Sequence, residues 1–259
     1  MTIANQINTL AEFLGPRTIP ELSQSALQTA IKHAQVDVCV LFGGSIIAGV
    51  DVLAEAIQQQ IAKHYVIVGG FGHTTQKLFD QVAKLYPELP PAASEAELFA
   101  QVLQLKYNLS VDALETASTN CGNNITNLLA LVAKRGWPVD SVLLMQDATM
   151  QLRMHATLRK AAPAVTIVDY ATYHVQMADD LQFLTEPVGM WTLPHYLTLL
   201  CGELPRLRDD ALGYGPKGKG YLAHIEIPAK VEVAWQALIS QDPSLNRQAD
   251  PRFKSAIKS

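Results

Sequence analysis

The chain has 259 residues, of which 49% are hydrophobic and 17% are charged, and this is the composition of an ordinary globular protein. It excludes an intrinsically disordered chain, which lacks the apolar residues for a core. Twenty basic and 24 acidic residues give a net charge of −4, and no run of Lys and Arg marks a nucleic-acid or anionic-membrane surface. The three widely spaced cysteines predict neither a disulfide framework nor a zinc site.

The N-terminal residues lack the basic start and apolar stretch of a signal peptide. The longest apolar-leaning run, 189–201, is interrupted by Pro194 and His195 and is shorter than the roughly 20 residues that span a bilayer. The sequence therefore predicts a soluble, cytoplasmic protein with no membrane or nucleic-acid partner.

Two helices are predicted first, over 4–14 and 20–34, and short apolar runs then alternate with helical patterns between residues 36 and 170. This alternation predicts an α/β fold built from βα units around a parallel sheet. The predicted strands are Val36 to Phe42, Tyr65 to Val68, Ala113 to Glu115, Ser141 to Gln146 and Val165 to Asp169. The predicted helices between them are Val50 to Lys63, Thr75 to Leu85, Glu95 to Tyr107, Asn120 to Lys134 and Thr149 to Ala161.

The βα rhythm breaks after about residue 172. We therefore predict an α/β domain over 1–171, including the helices within 4–34, and a smaller C-terminal cap region over 172–259. Within the cap region, the glycine-rich loop 213–220 carries Lys217 and Lys219. It is interpreted either as a flap that touches a phosphate or as a surface turn.

Ligands of open parallel sheets bind beyond the carboxyl ends of the strands, where loops lead into helix N-termini. The first two such loops carry Gly43-Gly44-Ser45 and Gly69-Gly70-Phe71-Gly72-His73-Thr74. Neither matches the dinucleotide fingerprint GxGxxG or the phosphate-binding loop GxxxxGK[ST]. The glycines indicate either tight turns or a ligand-binding loop. His73 is the one histidine in a predicted site loop, and no HExxH or similar spacing predicts a metal centre.

The third loop runs into the helix predicted at Asn120, and Ser118 or Thr119 is expected to cap that helix. Asn120, Asn123, Asn124 and Asn127 follow at helical spacing on one face. The face is either solvated or a polar surface for a ligand, and amides, which donate and accept, suit a nucleoside or amino-acid-like ligand.

The fourth loop begins at Gln146-Asp147 and continues through Thr149 and Met150 into a helix. Asp147 is interpreted as a helix cap or as a ligand contact. Arg153, a turn and a half into that helix, is not favoured by the helix dipole and is better placed for a carboxylate or phosphate. Elsewhere, Ser94-x-x-Glu97 predicts a capping box, and the absence of GxSxG argues against a Ser-His-Asp hydrolase.

Three strings carry a family resemblance: STNCGNN at 118–124, QDATMQLR at 146–153 and GELPRLRDDALGYGPKGKG at 202–220. They resemble the YdcF proteins, the soluble branch of a family of unknown function that also includes SanA and ElyC. The resemblance runs from about residue 37 to about 228. It implies a Rossmann-like sheet with a C-terminal extension and a nucleotide-type ligand at the strand ends, with S-adenosylmethionine as the leading candidate.

The resemblance also implies site residues, because the family's motifs fall on Gly43-Gly44, Gly69-Gly70, Ser94 to Ala96, Glu115, Ser118 to Asn120 and Arg153. Glu95 becomes a candidate on this ground alone. The family commonly has Glu-Asn where this chain has Asn123-Asn124, so a mechanism that needs a carboxylate at the first position is in doubt here.

The resulting hypothesis is a protein that binds S-adenosylmethionine or a related nucleotide and that acts as a group transferase. A non-catalytic sensor and a phosphoryl-handling hydrolase are the alternatives, and the sequence does not decide whether the protein is an enzyme. Glu115 and Asp147 are the catalytic candidates. The predicted ligand-contacting residues are Gly43, Gly44, Ser45, Gly70, Gly72, His73, Thr74, Glu95, Ser118, Thr119, Asn120, Asn124, Gln146, Thr149, Met150 and Arg153.

Overall fold

Five parallel strands form a single sheet in the structure, a computed structural model that describes residues 1–72 and 75–246. The strands are β1 (Val36–Phe42), β2 (Ala62–Val68), β3 (Ala113–Glu115), β4 (Ser141–Met145) and β5 (Thr166–Asp169). Their order across the sheet is β3-β2-β1-β4-β5, and every neighbouring pair is parallel. The predicted α/β fold is confirmed, and the architecture is Rossmann-like.

The helices surround this sheet. They are α1 (Ile3–Leu14), α2 (Gln24–Ile31), α3 (Ala48–Gln58), α4 (Thr75–Leu85), α5 (Glu95–Tyr107), α6 (Cys121–Arg135), α7 (Gln151–Ala161), α8 (Leu193–Leu207) and α9 (Ala229–Gln241), followed by a short 3-10 helix (Pro243–Leu245). Among these helices of the described chain, none combines the length and the apolar character needed to cross a bilayer.

The predicted bounds of β1, β3, α4 and α5 agree with the structure to the residue. The helix predicted over 20–34 is shorter, because Ser23 caps its start and Lys32 ends it in the left-handed conformation. The helix predicted to reach Lys63 was wrong at its end. Gln60, at φ 53°, turns the chain after α3, and Lys63 lies within β2.

Both faces of the sheet are covered, which explains why its strands do not alternate apolar and polar residues. All seven residues of β1 are buried. One face packs against α3, α4 and α5, and the other packs against α6 and α7. Cys39 is fully buried in the middle of β1, where it packs as a small hydrophobic residue.

A third apolar cluster lies beside the sheet and joins the two ends of the described chain. The helix α1 packs against α8 and α9, and its apolar face is completely buried there. Within the cluster, the indole N–H of Trp235 donates to the carbonyl of Cys201 at 2.8 Å.

The strand order reverses between β1 and β4. The helix after β1 covers one face of the sheet, and the helix after β4 covers the other. The loops that leave these two strands therefore diverge, and such a switch point is where open α/β sheets bind ligands. The fold thus places the loops after Phe42 and Met145 at the candidate site.

Candidate functional site

The loops that follow β1, β2 and β4 are joined directly at the carboxyl edge of the sheet. The N–H of Gly43 donates to the carbonyl of Val68 at 2.6 Å. The amide of Gln146 donates to the carbonyl of Gly43 at 3.0 Å, which bridges the switch point. The structure therefore brings together the predicted residues of these loops. His73 and Thr74 lie outside the described residues.

Glu95, the first residue of α5, lies beneath this junction and is buried. Its carboxylate accepts hydrogen bonds from the N–H of Gly44 and, at 2.6 Å, from the hydroxyl of Thr75. A Cβ atom at Gly43 would lie 2.2 Å from the carboxylate, and Gly44 has a φ of 76°. Gly43 is thus required by the packing around Glu95, and Gly44 is required by its positive φ angle. Burial raises the pKa of Glu95, while the bonds from Thr75 and Gly44 oppose that rise.

This raised pKa predicts a pH dependence of stability. The folded protein holds the Glu95 proton more tightly than the unfolded chain, so the contribution of this group is fully present below its ordinary pKa of 4.5 and is lost as the pH rises. In Glu95→Gln, the amide oxygen can accept from Gly44 while the amide N–H donates to Thr75. Relative to the wild type, the variant should therefore gain stability as the pH rises from 4.5 to 8.

Urea unfolding of both proteins across this pH range measures the difference. Glu88→Gln, at an exposed position, is the control for the effect of the substitution itself. Parallel stability curves for Glu95→Gln and the wild type would contradict the burial of an ionisable carboxyl.

The hydroxyl of Ser118 joins the loops after β2 and β3, since it accepts from the N–H of Gly70 at 3.2 Å. The expectation that Ser118 or Thr119 caps α6 was wrong. The N-cap is Asn120, whose side-chain oxygen accepts from the N–H of Asn123 at 3.0 Å. Asn is as good an N-cap as Ser, and Ser118 already has a bond across the loops.

The predicted asparagine face divides into different roles. Asn123 accepts from the Asn120 amide at 2.7 Å, which holds the helix start. Asn127 donates to Oε1 of Glu115 at 3.0 Å. Asn124 is only 8% exposed, and its side-chain amide makes no hydrogen bond to any part of the chain that the structure describes.

Glu115 ends β3 and is held by its own neighbours. Its Oε1 atom accepts from the N–H of Ala117 at 2.8 Å as well as from Asn127. Its Oε2 atom is buried and has no hydrogen-bond partner among the described residues. One carboxylate oxygen at this strand end therefore retains its full accepting capacity.

Asp147, by contrast, is saturated with hydrogen bonds from the protein. Its Oδ1 atom accepts from the N–H and the hydroxyl of Thr149 at 3.0 and 2.7 Å and from the hydroxyl of Tyr173 at 2.7 Å. The indole N–H of Trp191 approaches Oδ2 at 3.3 Å. The carboxylate is completely buried, and burial raises its pKa while the hydrogen bonds oppose the rise. Asp147 therefore links Tyr173 and Trp191 of the cap region to the end of β4.

The helix predicted to start at Thr149 begins two residues later, at Gln151, with Met150 as its N-cap. Asp147 and Thr149 instead form the turn before it, and the N–H of Met150 donates to the Asp147 carbonyl. Gln151 is a buried residue that sequence reasoning missed. Its side chain accepts from the N–H of Gln146 and donates to the carbonyl of Leu144, both at 2.9 Å.

Arg153 faces a carboxylate of this same chain. Its Nε and Nη2 atoms donate to the two carboxylate oxygens of Glu203 at 2.5 and 3.0 Å, and only 15% and 4% of the two side chains are exposed. Arg153 lies near the start of α7, as the sequence predicted. Its guanidinium is already paired with Glu203 of α8, so these two nitrogens are not available to a ligand. Nothing in the α7 pattern could have identified Glu203, which lies 50 residues further along the chain.

The glycine-rich loop 213–220 packs as a closed turn. Asp209 accepts from the N–H of Lys217 at 2.6 Å, and the N–H of Lys219 donates to the carbonyl of Gly213 at 3.0 Å. The loop rests on the last turns of α7, where Lys160 donates to the carbonyl of Gly220. These contacts favour the surface-turn interpretation, because α7 begins at the strand ends and leads away from them.

Two further side chains of the site edge were missed. Phe71 follows β2 and exposes 50% of its surface, with its ring edge-on to Phe79 at a centroid distance of 6.1 Å. Arg206, on α8, is 91% buried in the same region as Arg153. Phe71 could have been predicted as a site residue, because it is an aromatic residue within a glycine-rich loop. Nothing in the sequence around Arg206 predicts that its side chain is buried.

Ser45 is also buried at the end of β1, with its hydroxyl 3.2 Å from that of Thr172.

Two surface cavities, of about 510 and 460 Å³, lie away from the strand ends. The larger is mainly apolar and is lined by residues such as Leu89 and Ala100, and the smaller lies beside Asn8 and His174. Neither gathers buried polar groups as the strand ends do, so the switch point is the better candidate site.

No known protein-family model matches the chain.

Proposed function

We propose that the protein binds a nucleotide-type small molecule at the carboxyl ends of its parallel strands, with S-adenosylmethionine as the first ligand to test. The observation that carries the proposal is the Asn124 side chain. It lies in the first turn of α6, is 92% buried, and has no hydrogen-bond partner among the described residues.

The Asn124 amide is not among the fully buried side-chain groups that lack a partner, so its oxygen and nitrogen still reach solvent. A ligand that bonds to both atoms would replace that solvent and would gain two hydrogen bonds shielded by the surrounding protein. An asparagine amide donates and accepts side by side, which matches the N6 and N7 positions of adenine.

The surroundings of Asn124 supply further groups that suit such a ligand. The N-terminus of α6 offers N–H groups and the positive end of the helix dipole. Phe71 presents an exposed ring on which a base can stack. The Oε2 atom of Glu115, which has no partner within the described chain, is the proposed acceptor for a ribose hydroxyl.

A group transferase is the first form of this function, and a ligand-binding sensor is the second. The sensor is favoured by Asp147, since its carboxylate is occupied by Thr149, Tyr173 and Trp191 rather than directed at a substrate. Glu115 and Asp147 are the candidate catalytic residues of the transferase. Turnover of S-adenosylmethionine in the presence of candidate acceptors distinguishes the two forms, because a transferase consumes the compound and a sensor does not.

Calorimetric titration of the wild type with S-adenosylmethionine, S-adenosylhomocysteine, ATP and NAD tests the binding proposal. We expect Asn124→Ala to weaken the bound ligand about 10- to 100-fold, which corresponds to the loss of one or two buried hydrogen bonds. Its unfolding free energy should be nearly unchanged, because the Asn124 side chain makes no hydrogen bond to the described part of the protein.

Asn127→Ala is the matched control. It removes the same amide one turn further along α6, where the group is already bonded to Glu115. Binding should be nearly unaffected in this variant. The proposal is wrong if none of the four compounds binds the wild type below about millimolar concentration, or if Asn124→Ala loses stability while its affinity stays the same.

A further inference from the structure

A short segment of the cap region, residues 187–191, crosses the switch point of the sheet, and we call it the strap. At its end, the indole N–H of Trp191 approaches Oδ2 of Asp147, in the loop after β4, at 3.3 Å. In its middle, Gly189 lies against Ile47, in the loop after β1. The strap therefore bridges the two loops whose divergence marks the ligand crevice of open α/β sheets.

The contact at Gly189 leaves no room for a side chain. A Cβ atom at this position would lie 2.9 Å from Cγ2 of Ile47. The φ angle of Gly189 is 77°, in the left-handed region that glycine adopts without strain. Glycine thus lets the backbone of the strap lie directly on the β1 loop.

The candidate ligand contacts at the switch point are sealed in this arrangement. Ser45, Gln146 and Thr149 expose no more than 1% of their surface, and Asp147 is completely buried beside them. A ligand cannot touch these side chains while the cap region lies as it does. Access to them requires that a covering segment move.

The strap is held by fewer hydrogen bonds than its neighbour in the cap region. Thr172 is fastened to the carbonyl of Gln146 through both its N–H, at 3.0 Å, and its hydroxyl, at 3.1 Å. Among the described residues, the strap makes one backbone bond, from Met190 to Pro187 within the strap itself, and one side-chain bond, that of Trp191. Apolar packing of Met190 and Trp191 supplies the remaining attachment. Such a segment can open locally at a lower free energy than the strands beneath it.

We propose that the strap is a lid over the ligand site and that the hydrogen bond from Trp191 to Asp147 is its latch. This inference rests on the proposed function and adds how the ligand reaches that site. The lid is open in a minor fraction of molecules, and the ligand binds to that fraction. The apparent affinity is then the intrinsic affinity multiplied by the open fraction. Weakening the latch should therefore tighten binding, whereas the loss of a ligand contact would weaken it.

Thiol labelling measures the opening without any ligand. In Ile47→Cys, the introduced thiol lies beneath Gly189, whereas the native Cys39 is buried in the middle of β1 and reports unfolding of the sheet. With iodoacetamide, and with mass spectrometry to assign the labelled thiol, we expect the introduced thiol to react about 10-fold faster than Cys39 or more. Adding Trp191→Phe should speed its labelling by about another 10-fold, the factor for a lost hydrogen bond to a charged group, and by more than any change at Cys39.

Trp235→Phe is the matched control for the latch. It removes the same indole N–H, which in this case donates to the carbonyl of Cys201 and not to a residue at the switch point. In the Ile47→Cys background, this variant should leave the ratio of the two labelling rates unchanged.

The affinity for S-adenosylmethionine and ATP is the second measurement, by calorimetric titration into the full-length chain. In the Ile47→Cys background, Trp191→Phe should tighten the bound compound by the same factor by which it speeds labelling. Trp235→Phe should leave the affinity unchanged. A latch that served only stability would not produce tighter binding.

A disulfide can hold the lid closed. A Cβ atom at position 189 would lie 3.8 Å from Cβ of Ile47, which is a typical separation across a disulfide. The oxidised form of Ile47→Cys with Gly189→Cys should therefore bind about 100-fold more weakly than the same variant after reduction. The wild type, taken through the same oxidation and reduction, controls for the native cysteines.

The outcomes separate the lid from the proposed function. If a compound binds equally well to the oxidised and reduced forms, the lid is wrong and the proposed function stands. If the introduced thiol of Ile47→Cys labels no faster than Cys39, the lid is wrong whichever compound binds. If no compound binds the wild type but Trp191→Phe speeds labelling as expected, the proposed function is wrong and the strap stands as a moving cover of the switch point.

Discussion

Glu203→Gln should lower the unfolding free energy by about 3 kcal/mol, the loss expected when one partner of a buried ion pair is removed. The substitution leaves Arg153 with a neutral partner and places two guanidiniums, those of Arg153 and Arg206, in one buried cluster without a carboxylate. Urea unfolding at pH 7 measures the loss. The control is Glu232→Gln, which breaks the more exposed pair with Arg208 and should cost less than about 1 kcal/mol.

The pair itself is expected to contribute less than its loss suggests. Replacing both members, as in Arg153→Met with Glu203→Leu, removes both charges and should recover most of the stability lost in Glu203→Gln. If Glu203→Gln unfolds with nearly the wild-type free energy, then water reaches Arg153 and Glu203 and they do not behave as a buried ion pair.

Tyr173→Phe should cost about 2 kcal/mol, because it removes the 2.7 Å hydrogen bond that the Tyr173 hydroxyl donates to the buried carboxylate of Asp147. The loss should be largest where Asp147 is ionised and should shrink as the pH falls and the carboxyl takes up a proton. Urea unfolding at several pH values measures both effects.

Tyr196→Phe is the matched control for this prediction. The Tyr196 hydroxyl is also buried, but it has no hydrogen-bond partner among the described residues, so its removal should not destabilise the protein. In an Asp147→Asn background, Tyr173→Phe should cost less than it does in the wild type. Equal costs in the two backgrounds would show that Tyr173 acts through packing rather than through the carboxylate.

Much of the fold was predictable from local pattern. β1 is an unbroken apolar run, and α5 begins with the capping box that its sequence shows. Ser94 accepts from the N–H of Glu97, and the Glu97 carboxylate accepts from the N–H of Ala93. The errors occurred where the backbone leaves regular conformations, as at Lys32 and Gln60, whose positive φ angles are not encoded by a characteristic residue type.

The site was only partly predictable. The rule that strand ends carry ligands identified loops that the structure joins at the switch point, and the spacing of the asparagines identified Asn124, whose side chain makes no hydrogen bond to the described residues. The partners of the charged groups could not be predicted. Glu203, Tyr173 and Trp191 lie 26 to 50 residues away from the side chains that they contact, and only tertiary packing joins them.

The packing of α1 against α9 has a consequence for how the protein is made. The apolar face of α1, which carries Ile7, Leu10 and Leu14, is buried against α8 and α9, and α9 follows about 215 residues later. At roughly 5–20 residues per second, the ribosome needs at least ten seconds to deliver α9. During that interval the apolar stripe of α1 is open to chaperones and to other nascent chains, so the first helix to be synthesised is among the last to be stably buried.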